Sequence, residues 1–244
     1  MLAALSGMTI ATVFSRTDVD MRPMFERGAA LAEKTGTWWL LAMATGFPAA
    51  TMWEVDPVGG EALMVRAQEA ARRAGGPYAL GAVAIANGRM LGKAGRIDEA
   101  VAAFGTAIER YAEIGDERFV LASRSDLGHA LRRNGRIDQA AALYGETIGG
   151  WVRLGHRGAI ANQLENIAFV DVARGQPERA ARLLGAAEAL REASGSPMAF
   201  DELPEHTSHV ARLRTLADAA AIDSWWAAGR SMPMPDAVAL AVAA

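Results

Sequence analysis

The sequence predicts an all-α protein built from antiparallel helix hairpins that repeat every forty residues. The tetrapeptide Gly-Arg-Ile-Asp stands at residues 95–98 and again at 135–138, and a looser copy, Gly-Gln-Pro-Glu, occupies residues 175–178. Gly115, Gly155 and Gly195 keep the same forty-residue spacing. A fixed period of this length is typical of repeat proteins. Runs of β-branched residues are scarce, so we expect no sheet.

Each copy is predicted to form a helix, a glycine turn and a second helix. Apolar residues recur at steps of three and four, as in Ile97, Val101, Phe104, Ile108 and Tyr111, which is typical of an amphipathic helix. Carboxylates at 98, 99 and 178 fall in the first turn of the second helix, where they favour the positive end of the helix dipole. Pro177 suits the same turn. The glycines at 115, 155 and 195 suit the position just past a helix C-terminus.

Weaker copies extend upstream. Residues 61–74 end in a glycine pair, residues 21–34 end near Gly36, and residues 38–45 supply a first helix between them. Phe47-Pro48 and residues 56–60 are predicted breaks. We expect four complete hairpins, an opening hairpin at residues 2–35 and a divergent end. The predicted division is therefore 1–76, divergent hairpins; 77–196, three regular repeats; and 197–244, capping helices.

Laid over one another, the three regular copies agree in several columns. Position 8 holds Gly88, Gly128 and Ala168; position 20 holds Ala100, Ala140 and Ala180; position 24 holds Phe104, Tyr144 and Leu184; position 27 holds Ala107, Thr147 and Ala187. Small residues let two helices approach, and a large one fills the remaining groove. This pattern resembles the tetratricopeptide repeat, and the resemblance implies a right-handed superhelical solenoid. The extra length over that repeat is expected to lengthen the helices.

A second resemblance concentrates in residues 158–242. The segments Leu164–Ala168, Gly175–Glu192, Trp226–Met232 and Asp236–Ala241 resemble the tetratricopeptide C-terminal region of bacterial LuxR-type signal-transduction ATPase regulators. The resemblance implies a non-catalytic, cytoplasmic, protein- or ligand-binding arm involved in transcription regulation, with a final pair of helices closing the solenoid. The ATPase and DNA-binding portions of those regulators have no counterpart in this sequence. An independent tetratricopeptide adaptor is the alternative interpretation, and an enzyme of unknown class is the third.

Composition narrows the function classes. Twenty-five cationic and twenty-eight acidic residues give a net charge of −3 without a basic stripe, which argues against direct nucleic-acid binding. The chain has no cysteine, as fits a reducing cytosol. Met1–Phe14 is apolar but too short to cross a bilayer, and we expect it to form a buried helix. The partners expected are proteins or peptides, without membrane attachment.

Two motifs suggest chemistry only superficially. Gly88–Ala94 has three residues between its glycines and Ala after Lys93, whereas a phosphate loop needs four and a Ser or Thr. His206 and His209 stand three apart near acidic residues and could share a metal, but a polar helix entry after Pro204 is the simpler interpretation. No nucleophile, base and orienting group converge. The sequence therefore predicts no catalytic residue, cofactor or metal.

The concave face of the repeats is the predicted binding surface, since repeat proteins use that face. Positions 5, 9 and 12 of each copy are expected to point into it, with Asn162 and Asp126 beside them. The candidate contacts are Arg89, Ser125, His129, Arg132, Asn162, Glu165 and Phe169; Ile85, Gly92 and Val172 complete the pattern. This surface suits a peptide or protein segment, with Arg anchoring a carboxylate and Phe169 offering apolar contact.

The N-terminus is a second candidate surface. Leu2, Leu5, Met8, Ile10, Val13 and Phe14 make its first segment apolar, whereas the terminal repeat of a solenoid normally has a polar outer face. We expect this segment to mediate self-association or to dock onto an upstream ATPase domain.

Overall fold

The computed structural model describes residues 22–198 and 202–243, and it divides the chain into two compact units, with the boundary along the chain between Asn134 and Gly135. Every regular element in these described residues is a helix, so the all-α prediction is confirmed. The expectations for residues 1–14 and for the start of the opening hairpin fall outside the described residues. The three-part division made from the sequence stays a prediction.

The first unit contains six described helices. They are α1 (Arg22–Thr35), α2 (Trp38–Met52), α3 (Pro57–Ala74), α4 (Pro77–Lys93), α5 (Ile97–Glu113) and α6 (Glu117–Arg133). Each helix packs against the next one along the chain. Consecutive packing of this kind is that of a tetratricopeptide-like helical solenoid.

The second unit also contains six described helices. They are α7 (Ile137–Arg153), α8 (Arg157–Ala173), α9 (Pro177–Ser194), α10 (Leu203–Leu213), α11 (Ala219–Arg230) and α12 (Met234–Val242). The helices α7, α8 and α9 pack consecutively, and α9 then receives α11 on a second side. None of the helices described in either unit is long and apolar enough to span a bilayer.

The forty-residue period has a simple structural origin. Each of α4 to α8 is seventeen residues long, and a three-residue turn follows it. In the first such turn Gly95 has φ 73°, and the Arg96 backbone N–H donates to the Leu91 carbonyl at 2.9 Å. This is a Schellman ending, which needs a residue in the left-handed region and therefore favours glycine. One helix and its turn take twenty residues, so a hairpin takes forty.

The predicted register of small and large residues is confirmed by burial. Ala100, Ala140 and Ala180 are all fully buried. At position 8 of the first copy, a Cβ added to Gly88 would lie 2.8 Å from the ring of Phe104, the large residue at position 24. The glycine thus leaves the space that the ring fills.

One predicted break is wrong. The helix α2 continues through Phe47 and Pro48 to Met52, although proline inside a helix removes a backbone hydrogen bond at a cost of about 3 kcal/mol. Most of α2 between Leu40 and Ala50 is buried, so tertiary packing outweighs the local signal. The second predicted break, residues 56–60, is shorter than expected: the next helix begins at Pro57, and the Asp56 carboxylate caps it by accepting from the Gly59 N–H at 2.9 Å.

Candidate functional site

In the first unit, the partly exposed candidate Arg89 is already paired within the chain. The Arg89 guanidinium donates from Nε and Nη2 to the two carboxylate oxygens of Asp126, both at 3.0 Å. This bidentate geometry is the one that arginine uses to recognise a carboxylate. A partner's carboxylate at Arg89 would therefore compete with Asp126.

The other candidates of the first unit differ in exposure. Ser125 is buried and its hydroxyl donates to the Leu121 carbonyl at 2.9 Å. Arg132 is also buried, whereas His129 is partly exposed. Ser125 stands at position 5 and Arg132 at position 12, so the candidates at these two positions are buried. A partner could therefore contact this unit mainly at position 9, which holds Arg89 and His129. Their role as ligand contacts stays a prediction.

In the second unit, two candidates are buried beneath neighbouring segments. Glu165 is only 4 % exposed and accepts two hydrogen bonds from Arg191 of α9, at 2.6 and 2.7 Å. Phe169 is also 4 % exposed, with the imidazole of His209 stacked on its ring at 4.2 Å and 12°. Asn162 is partly exposed, and its amide donates to the Glu202 carboxylate at 3.0 Å.

The two histidines of α10 form a ring cluster with Phe169. His209 stacks on it, and His206 meets it edge-on at 5.9 Å. Among the residues that the structure describes, no group of three His, Asp or Glu side chains is placed to hold a metal ion. Burial lowers the pKa of His206, and the nearby charges of Arg191 and His209 lower it further. The carboxylates of Glu165 and Glu188 raise this pKa, but the net shift is downward. The neutral imidazole is therefore the favoured form.

A polar cluster between α9 and α11 escaped the sequence prediction. The Trp226 indole N–H donates to Glu188 at 2.6 Å, while Arg230 pairs with Glu188 and Glu192, both at 2.7 Å. Burial raises the pKa of Glu188, but the hydrogen bonds from Trp226 and Arg230 outweigh it and hold that pKa below its usual value. In the sequence, Glu188 and Glu192 are four residues apart, as are Trp226 and Arg230, so each pair lies on one face of its helix. The spacing does not indicate that these two faces meet.

Two cavities lie beside this cluster in the second unit. The first, of about 470 Å³, opens between α9, α10 and α11. The second, of about 450 Å³, extends along the C-terminal half of α9 toward Pro197 and Met198. Glu188, His206 and Trp226 line both cavities. Both are clefts open to solvent that border α10 at His206.

The last helix is held by a buried ion pair. Asp171 of α8 is fully buried and accepts from Arg179 of α9 at 3.0 Å. Arg179 also donates to the carbonyls of Leu240 and Ala241 in α12, at 3.2 and 2.9 Å. Burial raises the pKa of Asp171 to about 6, although Arg179 and Arg174 oppose the rise. One arginine thus joins three helices.

Comparison with known proteins identifies one repeat. Residues 120–154 match a family model described as a tetratricopeptide repeat. The match covers most of α6 and all of α7, the two helices of the second regular copy. No curated protein matches the chain. The chain thus contains a tetratricopeptide-repeat region, and such repeats are a class of protein-interaction scaffold.

Proposed function

We propose that the chain is a non-catalytic protein-binding module that serves as the regulatory arm of an ATPase-type transcriptional regulator. The observation that carries the proposal is the contact between α9 and α11. These helices hold residues 177–194 and 219–230, and they include most of two of the four segments that resemble LuxR-type regulators, 175–192 and 226–232. Residues of both segments, Glu188, Trp226 and Arg230, bond to one another. The resemblance therefore concerns one packed structure rather than scattered positions.

An independent adaptor is the second candidate, because a tetratricopeptide region fits it equally well. The reading frames beside this one in the source genome separate the two. Where a neighbouring frame encodes a nucleotide-binding protein, we expect the purified pair to form a complex by size-exclusion chromatography and the chain to change the rate of ATP hydrolysis. A complex only with proteins that lack a nucleotide-binding domain would favour the adaptor.

We further propose that the first unit recognises acidic peptide segments through Arg89 and His129. Asp126 competes for the same guanidinium, so its charge limits the affinity. A fluorescent acidic peptide selected by display should bind the Asp126→Asn chain more tightly than the parent chain, because the competing charge is gone. The Arg89→Ala chain should bind it more weakly. Equal affinity for all three chains would show that the peptide does not bind at Arg89.

The apolar N-terminal segment supplies a further proposed contact, either with a second copy or with an upstream domain. Polar substitutions at Leu2, Leu5 and Ile10 should favour the monomer while leaving the melting of the later repeats unchanged. Light scattering across micromolar concentrations measures this. A parent chain that is already a stable monomer would remove the physical support for this contact and would weaken the regulatory-arm proposal.

A further inference from the structure

One face of α8 carries three of the candidate contacts. Asn162, Glu165 and Phe169 are separated by three and four residues and therefore share one side of the helix. The helix α10 lies on this side, with His206 and His209 on the ring of Phe169. We call the surface of Asn162, Glu165 and Phe169 the α8 face. In this chain its occupant is an internal helix.

The contact between the segment of α10 and the α8 face has a polar end, formed by Glu202. Glu202, just before α10, accepts from the Asn162 amide at 3.0 Å and lies 3.9 Å from the Arg191 guanidinium. Arg191 is itself held in place by Glu165 and by the Ser196 carbonyl at 3.2 Å. The occupant thus offers a carboxylate first, and then flat rings four and seven residues later.

The occupant buries little of its own surface. Of the eleven residues of α10, all of them described, Leu213 alone is fully buried. The cavities of about 470 and 450 Å³ border the helix at His206. Because little apolar surface is buried, the hydrophobic contribution to its docking is small. Segments with few buried apolar contacts open at a fraction of the global unfolding free energy.

We propose that the α8 face is a binding surface for a partner helix, and that α10 occupies it until such a helix displaces it. The partner helix would carry the same pattern, an acidic residue followed by flat rings four and seven positions later. Its carboxylate would meet Asn162 and Arg191, and its rings would meet Phe169. The inference rests on the proposed function as a protein-binding module, to which it adds the partner's chemistry and a resident competitor.

A labelled synthetic peptide of residues 202–214 serves as the probe, added to the full chain. Replacing both rings of the resident helix, His206→Ala with His209→Ala, keeps α10 helical but removes its contact with Phe169. The peptide should then bind at least about tenfold more tightly than to the parent chain, because the competent state is more populated. The exposed Ser208→Ala substitution on the same helix is the matched control and should leave the affinity unchanged. An affinity that does not rise in the double variant would overturn the proposal.

A pair of charge substitutions, one in the chain and one in the peptide, tests the polar contact without removing buried volume. In the double-variant chain, Asn162→Asp should repel the peptide, and a peptide carrying Glu202→Lys should restore binding. Restoration supports the proposed contact, whereas equal binding of both peptides contradicts it. If the chain forms a dimer that does not bind the peptide, the α8 face binds a second copy of the chain and not a partner helix, which would contradict the proposal.

Nuclear magnetic resonance of the histidine rings follows the displacement in the parent chain. The chain has four histidines, so the signals can be assigned by single substitutions. Stacking on Phe169 should shift the His209 ring protons upfield, and excess peptide should remove that shift. A shift that persists at saturation would mean that α10 stays in place. If this peptide fails while a partner protein still binds the chain, the displacement idea falls and the proposed function stands.

Discussion

Gly185 and Gly229 are the points at which α9 and α11 touch backbone to backbone. A Cβ added to Gly185 would overlap the Trp226 carbonyl oxygen, and one added to Gly229 would overlap the Arg182 carbonyl. This approach brings Glu188 within hydrogen-bond reach of Trp226. The two glycines therefore set the distance at which the polar cluster forms.

Substituting alanine at either glycine should destabilise the second unit. The overlap involves backbone, which cannot move aside easily, so overpacking should cost about 1–3 kcal/mol. The gain in helix propensity, about 1 kcal/mol, offsets only part of this. Thermal melting by circular dichroism measures the effect.

Gly145 of α7 is the matched control, because it is exposed and a Cβ there meets nothing within 4 Å. Gly145→Ala should raise the melting temperature through helix propensity alone. If Gly185→Ala behaved like Gly145→Ala, the close approach of α9 and α11 would be wrong.

Ala140 tests the repeat register itself. It is fully buried at position 20 of its copy. Ala140→Leu should overpack its surroundings and cost about 1–3 kcal/mol. Ala142→Leu places the same side chain on an exposed position of the same helix and should change the melting temperature little. Indistinguishable melts for the two variants would contradict the register.

The sequence was sufficient for contacts that repeat and insufficient for those that occur once. Gly88 and Phe104 recur as a small and a large column, so their packing could be predicted from spacing. The buried pair of Glu165 with Arg191 occurs in one copy, and nothing periodic marks it. Position 9 at Phe169 was expected to face solvent or a ligand. It is buried because α10 returns onto α8, and a return of this kind depends on tertiary packing rather than on local pattern.

The segment Gly88–Ala94 should not bind nucleotide. Both of its glycines belong to α4 and serve packing, Gly88 against Phe104 and Gly92 against Ala130. Lys93 pairs with Glu54 at 2.8 Å rather than lying in a phosphate-binding loop. Calorimetry with ATP and magnesium on the purified chain should give no saturable heat. Saturable binding that is lost in a Lys93→Ala variant would contradict this assignment.

Asp171 should make the stability of the second unit depend on pH. Its pKa is about 6 in the folded chain, against 3.8 as the ordinary value. Between these two pH values, Asp171 is protonated in the folded state but not in the unfolded state. Its contribution to the free energy of unfolding is therefore fully present below pH 3.8 and is lost as the pH rises through 6. Asp171→Asn cannot titrate. The free energy of unfolding of the parent chain, relative to this variant, should therefore rise by up to about 3 kcal/mol as pH falls from 7 to 4.

A second substitution separates this effect from general acid sensitivity. Arg179 lowers the pKa of Asp171, so Arg179→Gln should raise that pKa and move the pH-dependent window upward. It should also loosen α12, because Arg179 donates to the carbonyls of Leu240 and Ala241. Urea unfolding at half-unit pH intervals, with both variants beside the parent chain, follows the two effects together. A parent-minus-Asn difference that stays constant from pH 4 to 7 would contradict the raised pKa of Asp171, because a carboxyl group with the same pKa in the folded and unfolded states takes up no proton on folding.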